Sequence, residues 1–481
     1  MEFRVTRGTA EALRQLPTSA RPVVNPDDVV VPDGYTVEAV VVGLSVPTKI
    51  EFAPDGKLFI GEGGSTWPTR PGMPPRILTY DPRTNALDVF ATEEFAGPRG
   101  FAFIGDDVYV SAKGGYFTRI VRYNRRTRER SVLLENMPNG GWHEPGGPVV
   151  GPDGLLYFGQ GSVSLQGIPG PADFTVDVAK HPLAHDVPGV DVTLTGNNDW
   201  SRHPSAAYPF LVETGAYHAY GVPAKKGEVV KGELWCNTGI WRCKPDGTEV
   251  ELIAWGVRNP WGMVFGDDGE LYVADLCMEE KDPRPVGQDP GKIWRIKSAR
   301  RPHGTVTVPD WYGFPEICGD GLPVWHDAHA PRRGPRPQPL IENPPEWAGP
   351  AVYLNEPHTG NGSLDYCRYD AFGHRGELFL CQFGTYWPLN SMRPEHEHNG
   401  FNVVRVDPKT GKGVEFMRNR LPGPASAHPG TGGLERPVDC TFSPDGKSLY
   451  VLDFGLNTAL KSNLFAYAHT GVLWRVTRTD A

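Results

Sequence analysis

One phrase recurs along the chain: a turn built on Asp-Gly, followed directly by alternating apolar residues. Clear copies occupy 53–61, 151–159, 266–274 and 443–451, and weaker copies occupy 105–110 and 375–380. Asp-Gly favours tight turns, and the alternation that follows is typical of a half-buried strand. A short apolar segment also precedes each copy, for example Ile50-Glu-Phe before the first. The sequence therefore predicts six β-hairpins of one design.

Six similar hairpins indicate radial repetition, and the fold class that we predict is all-β, a six-bladed β-propeller. Third blade strands are predicted at 76–82, 120–124, 239–242, 292–296 and 471–476. Long insertions, expected to be ordered loops over one face, fall at about 164–235 and 299–350. We expect one propeller domain at 34–481 after an N-terminal extension at 1–33. The strand at 35–40 is expected to close the ring against the last blade.

Composition narrows the possible functions as well as the fold. The 58 glycines and 48 prolines leave little room for long helices. A formal net charge of −9 argues against a nucleic-acid partner, which would need a basic face. No segment approaches the roughly 18 apolar residues of a membrane span. The first residues lack the apolar core of a secretion signal, so we expect either a cytoplasmic protein or one whose signal has been removed.

The 7 cysteines contain no C-x-x-C pair, which excludes zinc ribbons and thioredoxin-like motifs. Cys236 and Cys243 lie close together in the sequence. They form either one local disulfide or two reduced thiols on neighbouring strands, and both interpretations stay open.

The segments before the first strand of each blade contain the candidate functional residues. First strands surround the axis of a propeller, so these residues are expected to meet at one funnel. They are Lys49, Arg99, His143 with Glu144, Arg258 with Asn259, His358, and Arg436 with Asp439. Four fixed cations would repel one another without a counter-charge, which predicts a site for a polyanionic ligand. The structural alternative is that each cation pairs with a nearby carboxylate (Glu144, Asp439 or Glu435) and only ties the blades together.

Three of these segments resemble a known family. Gly256-Val-Arg-Asn-Pro-Trp-Gly262, His143 with its spacing to Gly151, and Glu435-Arg-Pro-Val-Asp439 are similar to segments of the soluble glucose/sorbosone dehydrogenases. Members of that family are six-bladed propellers that use pyrroloquinoline quinone (PQQ). The resemblance extends from Gly43 to Arg475.

The resemblance implies an oxidoreductase that transfers hydride from a hydroxyl-bearing carbon of a sugar or sugar-like alcohol to PQQ. His143 would be the general base, and Arg258 with Asn259 would hold and polarise the quinone oxygens. Arg436 would pair with a cofactor carboxylate, and Ca²⁺ would bridge the cofactor and loop carbonyls. Lys49, Arg99 and His358 are the other candidates for cofactor binding. A small-molecule substrate, a separate electron acceptor and a periplasmic or secreted location are implied as well.

Several positions depart from the family pattern. Gly147-Pro148 stands in place of an arginine, and Gly161-Ser162 in place of a glycine and a substrate-orienting aspartate. Leu276-Cys277-Met278 replaces the loop that binds the metal. Val438 replaces a second arginine, and the usual lysine is missing near Gln382.

Because of these departures, two other functions stay open. A metal-dependent enzyme, such as a hydrolase, a lactonase or a metal-centred oxidase, would use His143, His358, His218 or His428 as metal ligands. A non-enzymatic propeller would bind a protein or a carbohydrate, since a fold alone does not fix the function.

Overall fold

The computed structural model describes residues 23–63, 69–70, 72–93, 96–114, 117–139, 141, 143, 145–171, 173, 181, 183–203, 210–281, 283–385, 399–460 and 463–479. The structure is a six-bladed β-propeller, so the predicted fold class is confirmed. Among the described residues the only helices are of the 3₁₀ type, at Pro26–Asp28, Lys297–Arg300, Asp327–His329 and Ala425–Ala427. None of the helices in this part of the chain has the length and apolar character needed to cross a membrane.

The chain divides into two compact units. The first comprises Met1–Ala112, Tyr123–Glu129 and His358–Ala481, and the second comprises Lys113–Arg122 and Arg130–Pro357. Blades 1, 5 and 6 belong to the first unit, blades 3 and 4 belong to the second, and blade 2 has residues in both.

Each blade is built on four strands. Blade 1 consists of Lys49–Phe52, Leu58–Glu62, Arg76–Asp81 and Ala86–Thr92, and blade 2 of Ala96–Ile104, Asp107–Gly114, Phe117–Asn124 and Arg130–Pro138. Blade 3 consists of Pro145–Val150, Leu156–Gln160, Ile240–Cys243 and Glu251–Trp255, with Asp310–Trp311 parallel to the last. Blade 4 consists of Pro260–Phe265, Leu271–Asp275, Gly291–Arg295 and Tyr353–Asn355. Blade 5 consists of Asn361–Tyr366, Leu378–Gln382, Asn402–Asp407 and Lys412–Asn419, and Val29–Val30 pairs with the last. Blade 6 consists of Pro437–Phe442, Ser448–Asp453, Gly471–Arg478 and Tyr35–Leu44. Smaller pairings join Val192–Thr193 to Val229–Val230, Asn198–Arg202 to Leu211–Gly215, and Asn457–Leu460 to Asn463–Tyr467 and on to Thr69–Arg70.

The Asp-Gly turns join the first two strands of their blades, as predicted. In blade 1, Gly56 has a φ of 80°, which lies in the left-handed region that only glycine adopts at little cost. The Asp55 carboxylate accepts a hydrogen bond from the backbone N–H of Lys57 at 3.2 Å. The same carboxylate contact recurs at Asp153, Asp268 and Asp445. These aspartates therefore stabilise their own turns.

Blade 6 is completed by a strand from the other end of the sequence. Tyr35–Leu44 pairs antiparallel with Gly471–Arg478, in a register that runs from Tyr35 opposite Arg478 to Leu44 opposite Gly471. The predicted closing strand is therefore confirmed. The wider prediction of an extension at 1–33 stays a prediction, and residues 1–22 lie outside the described part of the chain.

Each unit has its own apolar core between neighbouring blades. In the first unit, Phe372, Phe379, Phe442 and Trp474 pack together between blades 5 and 6. In the second unit, a cluster that includes Tyr157, Met263, Phe265 and Trp294 fills the space between blades 3 and 4. All the cysteines are buried free thiols, so Cys236 and Cys243 are reduced in this structure.

Candidate functional site

The candidate site of the second unit lies where blades 3 and 4 begin. His143 precedes the first strand of blade 3, and Arg258 and Asn259 precede the first strand of blade 4. The two strands approach closely at Gly146, where an added Cβ atom would lie 1.7 Å from the Pro260 carbonyl oxygen. The backbone N–H of Ser162 donates to the Arg258 carbonyl at 2.9 Å. The fold therefore brings His143 close to Arg258 and Asn259, which lie more than a hundred positions later in the sequence.

His143 is buried, with 4% of its surface exposed. Its Nδ1 atom lies 2.9 Å from the carbonyl oxygen of Ser162 and 2.8 Å from the Ser162 Oγ atom. Its Nε2 atom has no hydrogen-bond partner among the described residues. Close packing against Gly161 fixes the side chain, because an added Cβ atom at 161 would lie 2.4 Å from the His143 Cβ atom.

The surroundings of His143 favour its neutral form. The pKa of His143 lies well below its ordinary value, mainly because the side chain is buried. The nearby positive charge of Arg258 is the second cause. Lys113 acts in the same direction, while Glu279 and the hydrogen bond to Ser162 act against it. A neutral histidine with an unengaged ring nitrogen can take up a proton, which is the requirement for a general base.

Among the described residues, Arg258 and Asn259 each have one buried polar atom without a hydrogen-bond partner. Arg258 donates through Nε to the Leu165 carbonyl at 2.8 Å, and its Nη2 atom lies 4.0 Å from the Glu279 carboxylate. Within the described part of the chain, neither Arg258 Nη2 nor the Asn259 Oδ1 atom has a hydrogen-bond partner. The Asn259 backbone N–H is held by Asp275 at 2.7 Å. Buried polar atoms are rarely left unbonded, so these two point to a polar ligand or to water.

Two further residues extend this set of buried atoms. Gln166 donates to the Glu279 carbonyl at 2.8 Å, but its Oε1 atom has no partner among the described residues. Asp173 accepts a hydrogen bond from the Gly170 N–H at 2.6 Å through its Oδ2 atom, while its Oδ1 atom has no hydrogen-bond partner among the described residues. Burial raises the pKa of Asp173 to about 8, so this side chain is largely protonated at neutral pH. The site therefore offers both donors and acceptors, as recognition of a hydroxylated ligand requires.

Some of the predicted site residues lie in the first unit, and their contacts differ from those of His143 and Arg258. The Lys49 ammonium group donates to Asp439 at 3.1 Å and to the Ser363 hydroxyl at 3.3 Å. Asp439 also accepts a hydrogen bond from the Ile50 N–H at 2.7 Å. Lys49 and Asp439 thus form an ion pair, as expected if the cation has a structural role and does not bind a ligand. The predicted role of Lys49 in cofactor binding stays a prediction.

Arg436 is bonded chiefly to backbone carbonyls. Its Nη1 atom donates to Phe383, Gly384 and Thr385 at 3.0–3.2 Å, and its Nε atom donates to Asn457 at 2.5 Å. Arg99 is buried in the first strand of blade 2, and His358 precedes blade 5 with a φ of 66°. Binding of the cofactor by Arg436, Arg99 and His358 stays a prediction, as does their convergence with His143. Glu144, named as a possible ion partner, lies outside the described residues.

The other histidines considered as metal ligands make local contacts. His218 Nε2 lies 3.1 Å from the Glu228 carboxylate, and His428 Nε2 lies 2.7 Å from the Pro422 carbonyl. No group of three or more His, Cys, Asp or Glu side chains in the described part of the chain is placed to hold a metal ion.

Ser162, Ser164 and Asp186 complete the candidate site, and sequence reasoning gave none of them a role in it. Asp186 accepts hydrogen bonds from the Val163 N–H at 2.6 Å, the Ser164 N–H at 3.2 Å and the Ser164 hydroxyl at 2.5 Å. The Ser162 hydroxyl donates to the Ser164 carbonyl at 2.6 Å. Asp186, Asp173 and Gln166 lie in the first long insertion, where no periodic pattern marks them.

Comparison with known proteins supports the fold. No family model matches the sequence, and no curated protein matches it. Among solved structures, the PQQ domain of pyranose dehydrogenase from Coprinopsis cinerea is similar over 94% of this chain and 97% of its own, with a TM-score of 0.55 and 15% identity. A Trichoderma reesei enzyme of carbohydrate-active family AA12 is similar over 95% and 99%, with a TM-score of 0.52 and 14% identity. A putative glucose dehydrogenase from Thermus thermophilus is similar over 92% and 99%, with a TM-score of 0.50 and 17% identity.

The chain has the fold of these three proteins. The predicted resemblance to the glucose/sorbosone dehydrogenase family is thereby confirmed at the level of the fold, for a divergent sequence.

Proposed function

We propose that this protein is an oxidoreductase that removes hydride from a hydroxyl-bearing carbon of a sugar or sugar-like alcohol, with PQQ as the hydride acceptor. The observation that carries the proposal is the pairing of a buried, neutral His143 with Arg258, whose Nη2 atom is buried without a partner among the described residues. A base and a cationic hydrogen-bond donor are the two groups that oxidation of a hydroxyl by a quinone needs from the protein.

His143 acts on the substrate hydroxyl. Nε2 takes the hydroxyl proton as the hydride leaves the same carbon, which becomes a carbonyl. The nearby Arg258 charge keeps the imidazole neutral until this step, so the base is available at neutral pH. Gln166, Asp173 and Asn259 supply unengaged polar atoms that orient the remaining hydroxyl groups of the substrate.

Arg258 and Asn259 would hold the cofactor. PQQ supplies a quinone that accepts a hydride, and negative charge develops on its oxygen as it does so. The unengaged N–H groups of Arg258 Nη2 fit a ketone oxygen in a buried setting, where such a contact is strong. Reoxidation of the reduced cofactor then requires a separate electron acceptor.

Ca²⁺ would need six to eight oxygen ligands. The described residues contain no group of three or more His, Cys, Asp or Glu side chains placed to hold a metal ion, so they provide no side-chain site for Ca²⁺.

A calorimetric titration of PQQ into metal-stripped protein, with and without Ca²⁺, tests the cofactor assignment. We expect tight binding that Ca²⁺ strengthens and that Arg258→Ala weakens, because the variant removes the buried donor. Arg300→Ala is the matched control, since Arg300 also lies near a carboxylate, that of Glu270, but its own side chain is 61% exposed. Absence of binding in both conditions would contradict the proposal, and elemental analysis of the protein as isolated would then address the metal-dependent alternative.

The pH dependence of catalysis tests the role of His143. Burial and Arg258 hold the pKa of His143 well below its ordinary value, and the neutral form is the active base. The acid limb of kcat/KM is therefore expected below the unperturbed histidine pKa of about 6.5. Arg258→Gln should move this limb to higher pH, because the repelling charge is gone while Lys113 and Glu279 remain. An acid limb that stays in place in Arg258→Gln would show that another group titrates.

A further inference from the structure

His143 is held from one side by two oxygen atoms of a single residue. The Ser162 carbonyl oxygen lies 2.9 Å from Nδ1, and the Ser162 hydroxyl oxygen lies 2.8 Å from it. A carbonyl oxygen can only accept a hydrogen bond, whereas a hydroxyl can donate or accept. The position of the imidazole proton therefore decides whether these contacts attract or repel.

Only one arrangement of protons satisfies all the contacts. With the proton on Nδ1, the ring donates toward both Ser162 oxygens, and the Ser162 hydroxyl donates to the Ser164 carbonyl at 2.6 Å. With the proton on Nε2, the Nδ1 lone pair would face the Ser162 carbonyl at 2.9 Å. The hydroxyl could then donate to Nδ1 or to the Ser164 carbonyl, but not to both. Buried acceptors that face each other without a hydrogen are costly, so the first arrangement is favoured.

Asp186 keeps these oxygens where they are. Its carboxylate binds the two N–H groups of Val163 and Ser164 and the Ser164 hydroxyl, which in turn accepts the Gly167 N–H at 2.8 Å. Arg258 binds the next carbonyl, that of Leu165, at 2.8 Å. The turn at 162–167 is thus held by a carboxylate through its N–H groups and by a guanidinium through a carbonyl.

We infer that Ser162, Ser164 and Asp186 form a positioning unit that keeps the proton of His143 on Nδ1 and leaves Nε2 free to accept a proton. Asp186 does not touch the histidine: it acts through the backbone of the turn at 162–167. The inference deepens the proposed function, because it rests on His143 being the general base. It assigns a role to Asp186, which lies in the first long insertion. The insertion would then contribute to catalysis and not only cover the surface of the propeller.

The test uses nuclear magnetic resonance of protein labelled with ¹⁵N in its histidine rings, with the His143 signals assigned by comparison with His143→Gln. The wild-type protein is expected to show a protonated Nδ1 and an unprotonated Nε2 at neutral pH. In either orientation, Asp186→Asn places an amide NH₂ group against at least one of the donors that now point at the carboxylate, so the turn should shift. We expect a mixture of both tautomers in this variant and a fall in kcat of about 10- to 100-fold, with little change in KM.

Asp365→Asn is the matched control. Asp365 also accepts two backbone N–H groups, from Tyr366 at 2.7 Å and Phe442 at 2.9 Å, but it belongs to the other compact unit. The His143 ring ¹⁵N signals of the Asp365→Asn variant should match those of the wild-type protein. A wild-type spectrum with the proton on Nε2, or an Asp186→Asn spectrum identical to wild type, would overturn the inference. The tautomer measurement needs no substrate, so it can fail or succeed independently of the proposed oxidation.

Discussion

His143→Gln is expected to lower kcat by about 10²- to 10⁴-fold while the protein stays folded. Glutamine is polar and can still contact Ser162, but it has no nitrogen that takes up a proton near neutral pH. Loss of the base therefore removes the proton acceptor for the substrate hydroxyl and leaves the Arg258 site in place. Steady-state kinetics on a substrate found by screening sugars and polyols would measure the fall, and calorimetry with PQQ would show whether cofactor binding persists.

His303→Gln provides the control for this substitution. His303 also bonds a backbone carbonyl, that of Glu249 at 2.8 Å, but it lies outside the hydrogen-bonded network of His143. Its turnover should match the wild type. A His143→Gln variant that turns over as fast as the His303→Gln variant would show that His143 is not the base.

Arg284→Met is expected to lower the free energy of unfolding by about 3–5 kcal/mol. Arg284 and Glu316 are both fully buried, and their closest charged atoms are 3.1 Å apart. The guanidinium also donates to the carbonyls of Gln166 at 3.1 Å, Pro315 at 2.8 Å and Gln338 at 2.9 Å. Methionine fills part of the volume but leaves the Glu316 carboxylate buried without its cation, which is the costly part of the change.

Urea unfolding followed by tryptophan fluorescence would measure this loss. Arg126→Met serves as the exposed counterpart, because Arg126 pairs with Asp106 at 3.1 Å while 79% and 42% of the two side chains are exposed. Exposed ion pairs contribute about 0–1 kcal/mol, so the two variants should differ clearly. Equal stabilities would mean that the Arg284 pair contributes little.

Since Arg284 binds the Gln166 carbonyl, the same substitution is also expected to loosen the turn that holds His143.

The blades could be predicted because their signals are local. An aspartate that binds the N–H group two residues later, and a glycine with a positive φ beside it, fix each turn within five residues of sequence. His143, Arg258 and Asn259 could be predicted for a related reason. They precede the first strands of successive blades, so the fold alone determines that they approach each other.

The rest of the site depends on contacts that no local pattern encodes. Asp186 binds N–H groups 22 and 23 residues away in the sequence, and Arg284 binds a carbonyl 118 residues away. Asp186 and Arg284 both bind backbone groups. Since a backbone group does not depend on the residue type, the sequence at 163–166 carries no signal that such a partner exists. The pairing of Lys49 with Asp439 spans 390 residues, and it could be suggested only because the propeller places both near first strands.

Closure of blade 6 by Tyr35–Leu44 ties the order of folding to the order of synthesis. Thr36 and Thr477, which lie opposite each other, are 441 residues apart along the chain. At 5–20 residues per second, the early strand waits roughly 20 to 90 s for its partner to emerge from the ribosome. Throughout that interval Ala39 and Val41, both buried in the finished blade, have no strand to pair with, and an unpaired apolar edge invites aggregation. The last blade of this protein therefore cannot be completed until nearly the whole chain has been synthesised.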